Sequence, residues 1–88
     1  MGILVVIMKV KITFYASLKE KTGNHLWELD VPDGIRCSEL MGLLGDKFPE
    51  AKATLERSAL SSGDIYLQPD DIIQPDASIS VLPPVSGG

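Results

Sequence analysis

Cys37-Ser38-Glu39-Leu40-Met41-Gly42-Leu43-Leu44-Gly45-Asp46-Lys47-Phe48-Pro49 decides how the rest of the chain is read. Cys37, Leu40, Met41, Leu44 and Phe48 recur at i, i+3, i+4, i+7 and i+11, which lines one face of a helix with apolar side chains. Gly42 and Gly45 each weaken that helix by roughly 0.8–1 kcal/mol relative to alanine, so burial of the stripe has to hold it. Ser38 is a candidate N-cap, but the residue three on is Met41, and no capping box is expected. Pro49 ends or redirects the helix, and Glu50 to Arg57 reads as a second, mostly polar helical segment. A helix with one apolar stripe needs an apolar surface to cover.

The flanking sequence supplies that surface. Upstream, Val10, Ile12 and Phe14 alternate with Lys9, Lys11, Thr13 and Tyr15, the period of a strand with one buried face. Ser17 to Thr22 reads as one or two helical turns stopped by Gly23-Asn24. His25 to Val31 is a second strand, with Trp27, Leu29 and Val31 on one face, broken by Pro32-Asp33-Gly34. Downstream, Arg57 to Ser61 is a weak strand, Ser62-Gly63 a turn, and Asp64 to Leu67 a short strand with Ile65 and Leu67 on one face. Gln68 to Ala77 is a loop rich in proline and aspartate, with room for a single 3₁₀ turn at Ile72-Ile73. Ser78 to Leu82 is the last strand, with Ile79 and Val81 inward. Two hairpins bracketing one helix are satisfied by a single mixed sheet with the helix across it and the first and last strands adjacent and parallel. The expected class is α+β, a β-grasp (ubiquitin-like) roll, with Val10, Ile12, Phe14, Trp27, Leu29, Leu40, Leu44, Phe48, Ile65, Ile79 and Val81 buried.

Eighty-eight residues suit one domain, and the formal net charge of -4 lacks the concentrated basic face that nucleic acid or an anionic membrane surface requires. Cys37 and His25 are the single cysteine and histidine, so neither an internal disulfide nor a zinc site is expected. The apolar run Met1-Gly2-Ile3-Leu4-Val5-Val6-Ile7-Met8 is too short to span a bilayer and lacks the marks of a signal peptide. The expectation is a cytoplasmic protein with an apolar extension at 1–7, a start-capable Met8, a domain at 8–82 and an extended tail at 83–88.

That tail reads Leu82-Pro83-Pro84-Val85-Ser86-Gly87-Gly88. Two prolines favour an extended backbone, and two glycines remove side chains from the end. Such a tail threads a narrow channel and presents the Gly88 carboxylate for chemistry. No paired-carboxylate or nucleophile–base constellation accompanies it.

Three segments together resemble the small, sulfur-carrier subunit of molybdopterin synthase: Phe14-Tyr15-Ala16-Ser17-Leu18-Lys19-Glu20-Lys21-Thr22-Gly23, Ser38-Glu39-Leu40 to Lys47-Phe48-Pro49, and the terminal Pro-Pro-Val-Ser-Gly-Gly. The likeness covers Met8 to Gly88. The chain departs from the family where Lys19 replaces arginine, where Leu60-Ser61-Ser62-Gly63 replaces a Val-Asn-Gly turn, and where Gln74-Pro75-Asp76-Ala77 replaces Asp-Gly-Asp-Glu.

The resemblance implies a non-catalytic carrier that binds no cofactor stably. A ubiquitin-activating-like enzyme uses ATP to adenylate Gly88, a sulfur donor converts it to a thiocarboxylate, and the tail delivers sulfur to a cyclic pyranopterin inside the large synthase subunit. It further implies that Tyr15, Tyr66 and Leu82 form the hydrophobic contact with that subunit, with Lys19, Pro83, Pro84 and Val85 beside them and Gly87 and Gly88 at the reacting end. The residues support the same face independently, since Tyr15, Tyr66 and Leu82 fall on the opposite strand parity from Phe14, Ile65 and Val81. Three alternatives stay open: a ubiquitin-like modifier ligated through Gly88, a sulfur carrier for thiamine or a tungsten cofactor, and a plain interaction domain whose Gly-Gly is accidental.

Overall fold

β1 (Ile7–Phe14) sits inside a five-stranded sheet, and its alternation sets the packing of everything else. The computed structural model describes residues 6–84. After β1 come α1 (Ser17–Thr22), β2 (Leu26–Pro32), α2 (Cys37–Lys47), a 3₁₀ turn (Pro49–Ala51), α3 (Lys52–Glu56), β3 (Ala59–Ser62), β4 (Ile65–Leu67) and β5 (Ser78–Leu82). The strands lie in the order β2-β1-β5-β3-β4, with β1 and β5 parallel and the other neighbours antiparallel. With the helices on one face, this is the β-grasp roll expected from the sequence. β1 includes Ile7, and the Val6 carbonyl accepts from the Asp33 N–H at 2.8 Å, so the strand begins one residue ahead of Met8.

The core lies between the sheet and α2. Val10, Ile12 and Phe14 of β1, Ile79 and Val81 of β5, Leu60 of β3, and Leu40 and Leu44 of α2 are all buried. Phe14 meets Phe48 edge-on with ring centroids 5.6 Å apart, and Phe48 meets Trp27 edge-on at 5.3 Å. Lys47 Nζ lies 5.6 Å from the centre of the Trp27 ring. Trp27, Leu29 and Phe48 are half-buried rather than buried, because β2 is an edge strand and the end of α2 only partly covers it. The Trp27 indole N–H has no acceptor among the described residues, which costs some of what the ring gains by burial.

Ile65 is a correction. It was expected in the core and is 68 % exposed. It shares a face with Leu67, but β4 is the outermost strand and three residues long, and Ile65 lies at its hairpin end, paired with Ser62. That turn is Gly63-Asp64 rather than Ser62-Gly63. Gly63 has φ 60 at the first central position, as a II′ hairpin requires.

The loop 68–77 also differs from expectation. No 3₁₀ turn forms at Ile72-Ile73; Ile72 instead bridges to Arg36, and Ile73 is buried with its N–H on the Ile35 carbonyl at 2.8 Å. The carbonyls of Asp71 and Pro69 accept from the N–H groups of Cys37 and Ser38 at 2.9 and 3.0 Å. These are the donors that the first turn of α2 cannot satisfy internally. Its N-cap is Arg36 rather than Ser38, and the Glu39 carboxylate reaches back to the Arg36 N–H at 3.0 Å. Half of a capping box therefore exists, two residues ahead of Ser38, where the sequence reading expected none.

Two variants check this account in denaturant melts. Phe14→Ala should cost roughly 3–5 kcal/mol, by lost transfer energy and a cavity beside Phe48. Gly42→Ala should add about 0.8–1 kcal/mol, because a Cβ there meets nothing within 4 Å.

Candidate docking face

The helices leave the other face of the sheet open, and the strand register determines what stands on it. Leu26 of β2 pairs with Thr13 of β1, Thr13 with Ser80 of β5, Ser80 with Ser61 of β3, and Ser61 with Tyr66 of β4. One row of side chains thus crosses all five strands. Leu26 and Tyr66 at its ends are 69 % and 65 % exposed. Between them Thr13 and Ser80 are half-buried and Ser61 is only 8 % exposed. Towards the C-terminal end of β5 the next position holds Leu82, paired with Ala59 of β3. In the opposite direction the face turns charged, with Lys9 3.6 Å from Glu28 and 4.0 Å from Asp30.

Tyr15 follows directly on β1 and is 41 % exposed. It meets the His25 ring edge-on at 5.8 Å, and His25 Nδ1 lies 3.1 Å from the Phe14 carbonyl. A carbonyl only accepts, so this contact places a proton on Nδ1. The backbone turns sharply at the next residue. Ala16 has φ 51 and ψ −127, and the Leu18 N–H bonds the Tyr15 carbonyl at 3.1 Å. This is the first central position of a II′ turn, which normally takes glycine. Alanine there is strained, and the turn that sets Tyr15 and starts α1 carries that strain. Gly23, with φ 74, ends the helix in the left-handed conformation.

Of the residues expected at the site, Tyr15, Tyr66 and Leu82 all belong to the open face or its margin. Leu82 is half-buried between its neighbours. Lys19 is exposed on α1, off the sheet, beside a broad hollow that Ala16, Asn24 and His25 also line. Pro83 is half-buried and Pro84 exposed as the chain leaves β5. Val85, Ser86, Gly87 and Gly88 lie outside the described residues. Leu26, Thr13, Ser80 and Ser61 were not singled out from the sequence, although parity with Tyr66 would have grouped them once the strand order was known. Cys37 is buried, and its thiol pKa is pushed up first by burial and then by the nearby Asp71 charge. That environment holds it as the inert thiol. Among the described residues, no group of three or more His, Cys, Asp and Glu side chains is placed to hold a metal ion, and no helix among them is long and apolar enough to cross a membrane.

A family model described as the ThiS family matches residues 12–88. The chain belongs to the ThiS family. It is 33 % identical over 81 residues to the molybdopterin synthase sulfur carrier subunit of Dictyostelium discoideum, covering 89 % of this chain and 94 % of that protein. It is 26 % identical over 81 residues to the subunit of the same name from Arabidopsis thaliana, covering 92 % and 84 %. In fold it matches the small archaeal modifier protein 1 of H. volcanii with a TM-score of 0.79 at 13 % identity, covering 89 % of this chain and 99 % of that one. This member of the ThiS family is therefore a β-grasp sulfur-carrier relative, as its tail and helix sequences resembled.

The strained turn makes a direct test of the local geometry. Ala16→Gly should stabilise the domain by about 1 kcal/mol, the relieved strain exceeding the extra entropy of glycine. In a thermal melt that is a rise of roughly 4–8 °C for a domain of this size.

Proposed function

We propose that this protein carries sulfur in molybdopterin synthesis, as a thiocarboxylate at Gly88. One observation carries the reading: the family match runs through to Gly87-Gly88, on a chain one-third identical to a molybdopterin synthase sulfur carrier subunit. The fold supports it. β5 lies between β1 and β3, so Pro83 and Pro84 lead away from the middle of the sheet rather than from an edge. Six residues from Pro83 to Gly88 reach up to about 20 Å, enough to enter a partner's buried site while the domain stays outside.

The chemistry follows from the carboxylate. It is a poor electrophile until it attacks the α-phosphate of ATP, releasing pyrophosphate and giving an acyl-adenylate. ATP belongs to the adenylating partner, and the carrier holds no cofactor of its own. The terminal sulfur of a persulfide donor then displaces AMP to give an acyl disulfide. A second thiol attacks the donor's sulfur, forming a disulfide with the donor and releasing the thiocarboxylate. Glycine places no Cβ in the path of the incoming nucleophile. The large synthase subunit docks on Tyr15, Tyr66 and Leu82, with Pro83, Pro84 and Val85 guiding the tail inward and Lys19 at the margin. The carrier needs no acid or base, because each partner brings its own.

Intact-mass analysis of the full chain, incubated with its adenylating enzyme, ATP and a sulfur donor, tests the reading. The wild type should gain the mass difference of one sulfur for one oxygen. Deleting Gly88 withdraws the carboxylate by about 3.5 Å and should abolish the gain, since about 1 Å of misplacement can cost a hundredfold. Conjugation to lysines in place of the sulfur gain would instead identify a protein modifier. Leu82→Asp should fold normally and weaken binding of the large subunit about thirtyfold or more, as loss of a central apolar anchor does.

A further inference from the structure

The open face is shaped as well as apolar. Thr13, Ser80 and Ser61 are short, and they are half-buried or buried although no helix covers them. The side chains at the two ends of the row, Leu26 on β2 and Tyr66 on β4, are longer and exposed. The result is a trough whose floor is β1, β5 and β3 and whose walls are the two edge strands. Four strand spacings of about 4.8 Å set the wall strands about 19 Å apart, and an α-helix with its side chains is about 10–12 Å across. A helix lying along the strands reaches the floor; a flat sheet would rest on Leu26 and Tyr66 and leave the floor uncovered.

The two ends of the trough differ. One is apolar, at Leu82 and Ala59, where the chain departs towards Gly88. The other holds Lys11. It stands opposite Glu28 in the register, but Glu28 turns to Lys9 at 3.6 Å, and Lys11 forms no ion pair among the described residues.

We propose that Leu26 and Lys11 complete the docking face, and that its occupant is an amphipathic helix of a protein partner, with a carboxylate opposite Lys11. The inference rests on the reading of this face as the place where the large synthase subunit docks.

Calorimetric titration of the full-length carrier with that subunit tests it. Leu26→Ser and Leu26→Thr should each weaken binding roughly tenfold or more, a typical loss for an interface anchor. Lys11→Glu should weaken binding and flatten its dependence on salt. A benzophenone side chain introduced at Leu26, and separately at Tyr66, should crosslink to partner residues three or four apart within one segment. Circular dichroism checks that each variant is folded; Leu26 is exposed, and Leu26→Thr keeps a strand-forming residue there. Unchanged affinity in both Leu26 variants, with Leu82→Asp still weakened, overturns the trough and leaves the docking reading in place. Unchanged affinity in all of them overturns both. Crosslinks scattered over alternate residues or separate segments overturn the helix.

Discussion

The parallel pairing of β1 with β5 is the constraint on which the rest of this structure depends. It sets Ile12 beside Ile79 and Phe14 beside Val81, all buried, and brings the first and last strands together in the middle of the sheet. Parallel neighbours cannot be joined by a tight turn. Everything between Phe14 and Ser78 is therefore connection, and it is used to cover one face with α2 and extend the sheet on the β3–β4 side. Because β5 is interior, its hydrogen bonds to β1 and β3 hold both sides of the strand that bears the tail. Tension applied to the tail by a partner meets two ladders at once.

Legibility in the sequence followed how local each cause was. The alternation of Val10, Ile12 and Phe14 and the stripe from Cys37 to Leu44 are properties of single elements, and both were read correctly. Ile65 has the same alternation with Leu67, yet its exposure depends on how far α2 extends over the sheet. The capping of α2 escaped for a similar reason. Its donors are met by carbonyls more than thirty residues away in sequence, at Pro69 and Asp71. The site divides in the same manner. Tyr15, Tyr66 and Leu82 stand out as large apolar residues on the outward parity of predicted strands. Thr13, Ser61 and Ser80 look like ordinary surface residues until the register puts them side by side.

The layout of the open sheet face also explains how an acidic domain tolerates its exposed apolar side chains. Leu26, Tyr66 and Leu82 are distributed around short polar side chains rather than fused into one patch, and charged pairs on Lys9 bound the far end. Isolated apolar residues are common on soluble proteins, whereas a continuous patch invites indiscriminate association. The proposed trough would offer its apolar area chiefly to a partner narrow enough to enter it, so that shape would limit the choice of partner before any specific hydrogen bond forms.

The strap of loop 68–73 across the start of α2 has a consequence for vectorial synthesis. When a ribosome has released the chain through Lys47, the helix is complete in length but two of its leading N–H groups still have only water as partner. Pro69, Asp71 and Ile73 come later, and β5, which must lie beside β1, comes later still. An eleven-residue helix interrupted by two glycines is marginal by itself, so the nascent segment remains largely unformed until the loop arrives. The helix start and the loop that caps it therefore depend on each other, and α2 gains these two hydrogen bonds only once residues 69–71 have been made.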